Sequence, residues 1–166
     1  MRNATWPEMM PSIQVILNCA QDVAGSCDGG DDAGVYQYLQ QTGVPDNTCM
    51  QYQANDNDCT PVNTCRTCWP DTGCSAVTTY TNYMVDEFGP VAGESDMMSE
   101  IFARGPISCG IDASYILNYT GGIFTQTPSD WNIDHIIQVA GWGFGPDNNG
   151  NMTPYWIIRN SWGTYR

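Results

Sequence analysis

The stretch of sequence that decides the fold covers residues 133–163 and reads IDHIIQVAGWGFGPDNNGNMTPYWIIRNSWG. Its two apolar parts, residues 133–142 and residues 155–159, are rich in β-branched and aromatic side chains, which is typical of buried strands. Between them lies the turn-forming run Gly-Pro-Asp-Asn-Asn-Gly at residues 145–150. We therefore predict two strands that pair through this turn.

Two polar side chains stand at the outer ends of the predicted strands. His135 lies near the start of the first strand, and Asn160 directly follows the second. A polar side chain at the end of a buried strand needs a specific partner. If the strands pair, the imidazole and the amide adjoin, and Trp162 is available to shield them from water. The other interpretation is structural, because a single histidine in a strand is commonly a core residue with satisfied ring nitrogens.

The residues before this stretch predict a helical part followed by a cross-linked loop. Residues 9–20 carry apolar side chains at helical spacing, and a second helix should begin near Asp31 and Asp32 and end at Gly43. Residues 46–75 have no apolar period and contain five cysteines. We expect a long loop held by covalent cross-links, since little else in it would offset the loss of chain entropy.

From Val77 onward the pattern changes to β structure. Residues 77–80 and 83–85 are strand-like, a helix should follow with Ser95 as its N-cap, and residues 107–111 form another apolar strand. The order of helices, loop and mostly strands predicts an α+β fold. We place its two lobes at residues 1–78 and 79–166.

Composition excludes several classes of function. The 166 residues carry a formal net charge of −13 with five basic residues, which argues against binding nucleic acid or anionic membrane surfaces. A single histidine excludes sites that need two, and no apolar run is long enough to span a membrane. Eight cysteines indicate an oxidising compartment. Three N-glycosylation sequons, at Asn3, Asn118 and Asn151, indicate the same.

The motifs around His135 and Asn160 resemble those of the papain-like cysteine peptidases. The similar segments are Asp134-His135 with Gly141-Trp142-Gly143, residues 156–163, and the glycine-rich stretch at residues 25–30. The resemblance covers nearly the whole chain. It implies the papain-like two-lobe fold, with a helical left lobe and a β-barrel-like right lobe, incomplete in these 166 residues.

The resemblance also implies a role for each matching position. His135 would be the general base and acid, and Asn160 would orient its ring. Trp162 would screen their hydrogen bond from water. Gly29 and Gly30 would offer backbone groups to an extended peptide, and the Asp134 carbonyl oxygen would accept a hydrogen bond from the residue beside the scissile bond. No cofactor and no metal ion is needed.

The cysteine pairs are likewise implied by the resemblance, because sequence alone does not choose among connectivities. The implied pairs are Cys19–Cys59, Cys49–Cys65 and Cys68–Cys74. Cys27 and Cys109 would pair with cysteines beyond the two ends of the sequence. A four-thiolate zinc site at Cys59, Cys65, Cys68 and Cys74 is the alternative, although the second close cysteine pair of a zinc ribbon is absent.

The family's nucleophile signature, Cys-Gly-Ser/Ala-Cys-Trp/Tyr, does not occur in the 166 residues. In this family the histidine follows the catalytic cysteine by roughly 130–150 residues, which places the cysteine between about residue 5 and about fifteen residues before Met1. Residues 1–5 contain no cysteine. We therefore expect the nucleophile in a missing N-terminal segment or another part of a larger assembly.

Two functional hypotheses follow. In the first, the chain is part of a lysosomal or extracellular cysteine peptidase that acts on peptides or proteins, and the resemblance implies an exopeptidase of the carboxypeptidase type. In the second, it is a catalytically dead papain-like module with a binding or structural role. The absence of the nucleophile motivates the second hypothesis, whereas the retained His135 and Asn160 favour the first.

Overall fold

The computed structural model describes residues 8–125, 130 and 132–163. The chain divides into two compact units, Met1–Gly89 and Pro90–Arg166. The lobe boundary between residues 78 and 79 stays a prediction. Asn3 lies outside the described residues, as do the last three residues of the chain. No described helix is both long and apolar enough to cross a membrane.

Three helices and a small hairpin open the first unit. They are α1 (Ile13–Cys19), α2 (Gln21–Ala24), β1 (Gly25–Ser26), β2 (Gly29–Gly30) and α3 (Asp32–Gln41). Helix α1 begins later than the apolar period suggests because Ser12 caps it, its side chain accepting a hydrogen bond from the Val15 N–H. Asp31 caps α3 in the same way, as an acidic residue at this end of a helix should.

The core of the first unit combines apolar packing with buried amides. Val15, Val44 and Met50 form its buried apolar cluster. Gln14, fully buried, donates to the Asn55 carbonyl oxygen over 2.6 Å and accepts from the Gln53 N–H over 2.7 Å. These bonds satisfy the buried amide and fasten the cysteine-rich loop to α1.

Three disulfides cross-link this loop. They are Cys19–Cys59, Cys49–Cys65 and Cys68–Cys74, the same pairs that the family resemblance implies. All four cysteines of the zinc alternative are therefore joined to other sulfurs and are not thiolate ligands. The loop also contains a hairpin that the sequence pattern did not predict, formed by β3 (Arg66–Trp69) and β4 (Gly73–Ala76).

Two sequence-based expectations in this region were wrong. Residues 77–80 and 83–85 are not strands, and Tyr83 makes an isolated antiparallel bridge with Val44. Their high β propensity does not produce strands, because no described strand pairs with either segment. Ser95 is not the N-cap of the next helix, since α4 (Glu94–Arg104) begins after Gly93, whose φ of +90° turns the chain into the helix.

The second unit packs α4 against a three-stranded antiparallel sheet. The strands are β5 (Ile107–Ile111), β6 (His135–Pro146) and β7 (Met152–Arg159), in the order β5-β6-β7, with a short 3-10 helix at Ala113–Ile116. Ile101, Ile137 and Val139 form the buried core between helix and sheet. The mixture of helix and sheet confirms the α+β prediction, but the described strands form an open sheet and no closed barrel.

Candidate active site

His135 and Asn160 meet at one end of the sheet. His135 is the first residue of β6, paired with Ile111, and Asn160 directly follows the last residue of β7. Because the two strands pair through the turn at residues 147–151, their outer ends adjoin. The His135 Nε2 atom lies 2.8 Å from the Asn160 Oδ1 atom. The predicted juxtaposition of imidazole and amide is therefore present.

The partners of the Asn160 oxygen fix the protonation of the imidazole. Asn160 Oδ1 also accepts a hydrogen bond from the Ser161 N–H over 2.7 Å, which identifies this atom as the amide oxygen. An amide oxygen carries no proton, so the hydrogen in the bond to His135 belongs to Nε2. Nδ1 of the neutral ring is then the nitrogen with a lone pair to accept a proton.

Trp162 covers one face of this pair. Its ring stacks on the His135 ring with centroids 5.1 Å apart and an angle of 27° between the planes. His135 and Asn160 are both half-buried. The indole therefore shields the hydrogen bond from solvent on that side, where the lower local dielectric strengthens it.

Asp134 lies beside His135, and its side chain is tied to the sheet. Its carboxylate accepts from the Ala113 N–H over 2.8 Å, and its own N–H donates to the Ile111 carbonyl oxygen over 3.1 Å. Sequence reasoning assigned a role to the Asp134 carbonyl and missed this carboxylate contact. It also missed Asp112, although an aspartate two residues before Ser114, just after a strand, is a recognisable cap signal.

Gly29 and Gly30 belong to the first unit. They form β2, paired with Gly25 and Ser26, and both are exposed. A side chain on Gly30 would place its Cβ 2.3 Å from the Ala24 carbonyl oxygen, so this close turn requires glycine. Their exposed backbone is available to an extended ligand.

Cys27 lies in the turn between β1 and β2 and takes part in none of the three disulfides. The same is true of the half-buried Cys109. The Cys27 N–H donates to both carboxylate oxygens of Asp56 over 3.1 and 3.2 Å. Desolvation, the hydrogen bond and charge of Asp56, and the charge of Asp28 raise the pKa of the Cys27 thiol above its ordinary value. These surroundings disfavour a thiolate at Cys27.

Residues 3–165 match the family described as papain family cysteine protease. The chain belongs to this family. Over 164 residues it is 43% identical to cathepsin Z of Onchocerca volvulus, a match that covers 98% of the chain and 51% of the relative. It is 30% identical over 159 residues to human cathepsin L2, covering 92% of the chain and 43% of that protein. The chain thus spans about half the length of the curated relatives that it matches.

Solved papain-family structures share the fold. Procathepsin B S9 from Trypanosoma congolense superposes with a TM-score of 0.71 at 23% identity, covering 93% of the chain and 50% of that structure. A structure from a study of the mite allergens Blo t 1 and Der p 1 gives a TM-score of 0.70 at 19% identity, covering 96% of the chain and 49% of that structure.

Within the family, three segments resemble cathepsin X, also called cathepsin Z. They are residues 43–49, 105–111 and 118–123. The 43% identity to a cathepsin Z supports that narrower resemblance.

Proposed function

We propose that the full-length protein is a cysteine peptidase in which this chain supplies the catalytic histidine and its orienting asparagine. The observation that carries the proposal is the bond from His135 Nε2–H to Asn160 Oδ1. That bond fixes the ring orientation and leaves Nδ1 as the base. The nucleophile would come from the segment before residue 1, as the family spacing implies, because the surroundings of Cys27 disfavour its thiolate.

The proposed reaction uses His135 twice. Nδ1 takes the proton of the nucleophilic thiol, and the thiolate attacks the carbonyl carbon of the scissile peptide bond. The imidazolium returns the proton to the departing amine as the carbon–nitrogen bond breaks, leaving a thioester. Nδ1 then takes a proton from water, and the resulting hydroxide attacks the thioester. The imidazolium protonates the departing sulfur, so the acid product leaves and the thiol is restored.

Substrate binding is proposed for four further positions. Gly29 and Gly30 would pair their backbone with an extended peptide, as exposed strand edges do. The Asp134 carbonyl oxygen would accept from the residue beside the scissile bond, and Trp162 would screen the His135–Asn160 hydrogen bond from water. We expect peptides or proteins as substrates.

A carboxypeptidase specificity and a lysosomal or secreted location are the finer parts of the proposal. The 43% identity to cathepsin Z supports the first. The three disulfides support the second, because disulfides persist in oxidising compartments. Asn118 and Asn151 are exposed, so both sequons are accessible for glycosylation.

A pair of peptides differing at one end tests this proposal. The full-length protein, under reducing conditions at mildly acidic pH, should release the C-terminal residue of a peptide with a free carboxylate. The same peptide with an amidated C-terminus should be cleaved at least about tenfold more slowly, as expected of an enzyme that recognises the free carboxylate of its substrate. Chromatography of the products measures both rates. Equal internal cleavage of the two peptides would contradict carboxypeptidase specificity while leaving a cysteine peptidase.

The second candidate is a catalytically dead papain-like module with a binding or structural role. The observation in its favour is the absence of the nucleophile signature from the 166 residues. In that case neither peptide is hydrolysed, although the protein binds them or another partner. The loss of hydrolysis together with a folded protein would favour this candidate over the first.

A further inference from the structure

Asp112 is a buried carboxylate near His135 that has no part in the proposed chemistry. It directly follows β5 and is 7% exposed. One of its oxygens accepts hydrogen bonds from the N–H, over 3.1 Å, and from the hydroxyl of Ser114. Its other oxygen accepts from the Asn132 N–H over 3.2 Å, across twenty residues of sequence. Three donors compensate the cost of burying this charge.

The bond to Asn132 is one of three that tie the segment before His135 to the end of β5. Ala113 N–H donates to the Asp134 carboxylate, and Asp134 N–H donates to the Ile111 carbonyl oxygen. Each segment thus contributes an aspartate that accepts from the backbone of the other. We name this arrangement of residues 111–113 and 132–134 the reciprocal brace. Directly beyond it, Ile111 and His135 form the last pair of the β5–β6 ladder.

We propose that Asp112 is a positioning residue that holds residues 132–134 in register and thereby sets the orientation of His135. The inference rests on the proposed function and deepens it, because the same segment carries the Asp134 carbonyl. Without Asp112, the two ties at Asp134 remain, and the segment is free to pivot about them. A displacement of about 1 Å at a catalytic group is enough to lower a rate by orders of magnitude.

The hydrogen bonds also keep the brace charged in acid. The Ser114 side chain foremost, with the backbone N–H groups of Asn132 and Ser114, lowers the pKa of the Asp112 carboxyl below its ordinary value. A carboxyl whose pKa is lower in the folded state stabilises the fold above its unfolded-state pKa. That contribution is lost only as the pH falls through the lower, folded-state value. The brace should therefore persist in a mildly acidic compartment.

The substitution Asp112→Ser removes the hydrogen bond to Asn132 but keeps the cap on the short 3-10 helix. Serine caps about as well as aspartate and still reaches the Ser114 N–H, but it is too short to reach Asn132. Asp147→Ser is the matched control in the same unit. The Asp147 carboxylate accepts from the N–H groups of Asn149 and Asn151, each over 2.8 Å, in the β6–β7 turn at the other end of the sheet.

Two nuclear magnetic resonance measurements on the full chain give the readout. In Asp112→Ser, hydrogen exchange of the Asn132 amide should accelerate about tenfold, the effect of losing one hydrogen bond to a charged group. The His135 imidazole nitrogen signals, identified by their absence from His135→Ala, should lose the single Nε2–H form. In Asp147→Ser the exchange of the Asn149 and Asn151 amides should accelerate while the imidazole spectrum stays that of the wild type.

An imidazole spectrum that is the same in Asp112→Ser, Asp147→Ser and wild type would overturn the inference. If Asp112→Ser does not fold, Asp112→Asn takes its place. Its amide keeps the size of the side chain but accepts through one atom instead of two, and the same two signals decide. These measurements need no turnover, so hydrolysis with an unchanged imidazole spectrum would refute the role of Asp112 alone. A changed spectrum in a protein without hydrolysis would support Asp112 and refute the proposed function.

Discussion

Replacing His135 by alanine should lower kcat/KM for release of a C-terminal residue by at least about 10³-fold. The substitution removes the base that makes the thiolate and the acid that protonates the leaving amine. The 166 residues contain one histidine, so no other residue of this chain supplies an imidazole in its place. The measurement is the initial rate on the free-carboxylate peptide, with full-length wild-type and variant protein at matched concentrations.

The matched control for His135→Ala is Gln138→Ala. Gln138 lies three residues further along the same strand, where it pairs with Arg159, and it makes no contact with Asn160 or Trp162 among the described hydrogen bonds and ring contacts. This variant should retain activity within about threefold, because the half-buried Gln138 takes no part in the described hydrogen bond and ring contact of the site. If His135→Ala keeps a tenth of the wild-type activity, His135 is not the catalytic base.

Removing the Cys19–Cys59 disulfide should cost about 4 kcal/mol of unfolding free energy, since it closes a loop of sequence separation 40. The cross-link limits the unfolded chain, and it joins α1 to the loop that also covers Gln14. The double variant Cys19→Ala with Cys59→Ala avoids a leftover thiol. Its urea midpoint, compared with that of the wild type under non-reducing conditions, gives the loss.

The disulfide Cys68–Cys74 provides the comparison for that prediction. Its sequence separation is 6, and it pairs opposite residues of the β3–β4 hairpin, so its removal should cost about 2 kcal/mol. The two double-alanine variants therefore differ by about a factor of two in lost stability. Equal losses, or a larger loss for Cys68–Cys74, would show that loop closure does not govern the stability of this region.

The strands that carry the site could be predicted because their signal is local and strong. Residues 107–111 and 155–159 are mostly apolar, and the structure contains strands at both. The turn residues between β6 and β7 set the pairing, which in turn predicted that His135 and Asn160 adjoin. The identity of the pair as an acid–base unit came from the family motifs and not from the pattern.

Contacts between distant segments could not be read from local pattern. Apolar and polar side chains alternate too weakly in residues 66–69 and 73–76 to predict the hairpin that they form. The Cys68–Cys74 disulfide joins its two strands. Residues 77–80 show the opposite case, because their β propensity is high but they do not form a strand. The hydrogen bond between Asp112 and Asn132 could not be predicted for the same reason. Its two residues are twenty positions apart in sequence, and they meet only because of the β5–β6 register.

The most direct test of the catalytic assignment is to find which cysteine the site activates. A peptidyl thiol-directed probe, added to the full-length folded protein and located by mass spectrometry, identifies that residue. We expect one probe per molecule, on a cysteine before residue 1, with labelling lost in His135→Ala. A probe on Cys27 or Cys109, or no label on a folded wild-type protein, would contradict the assignment of His135 and Asn160 to a cysteine peptidase.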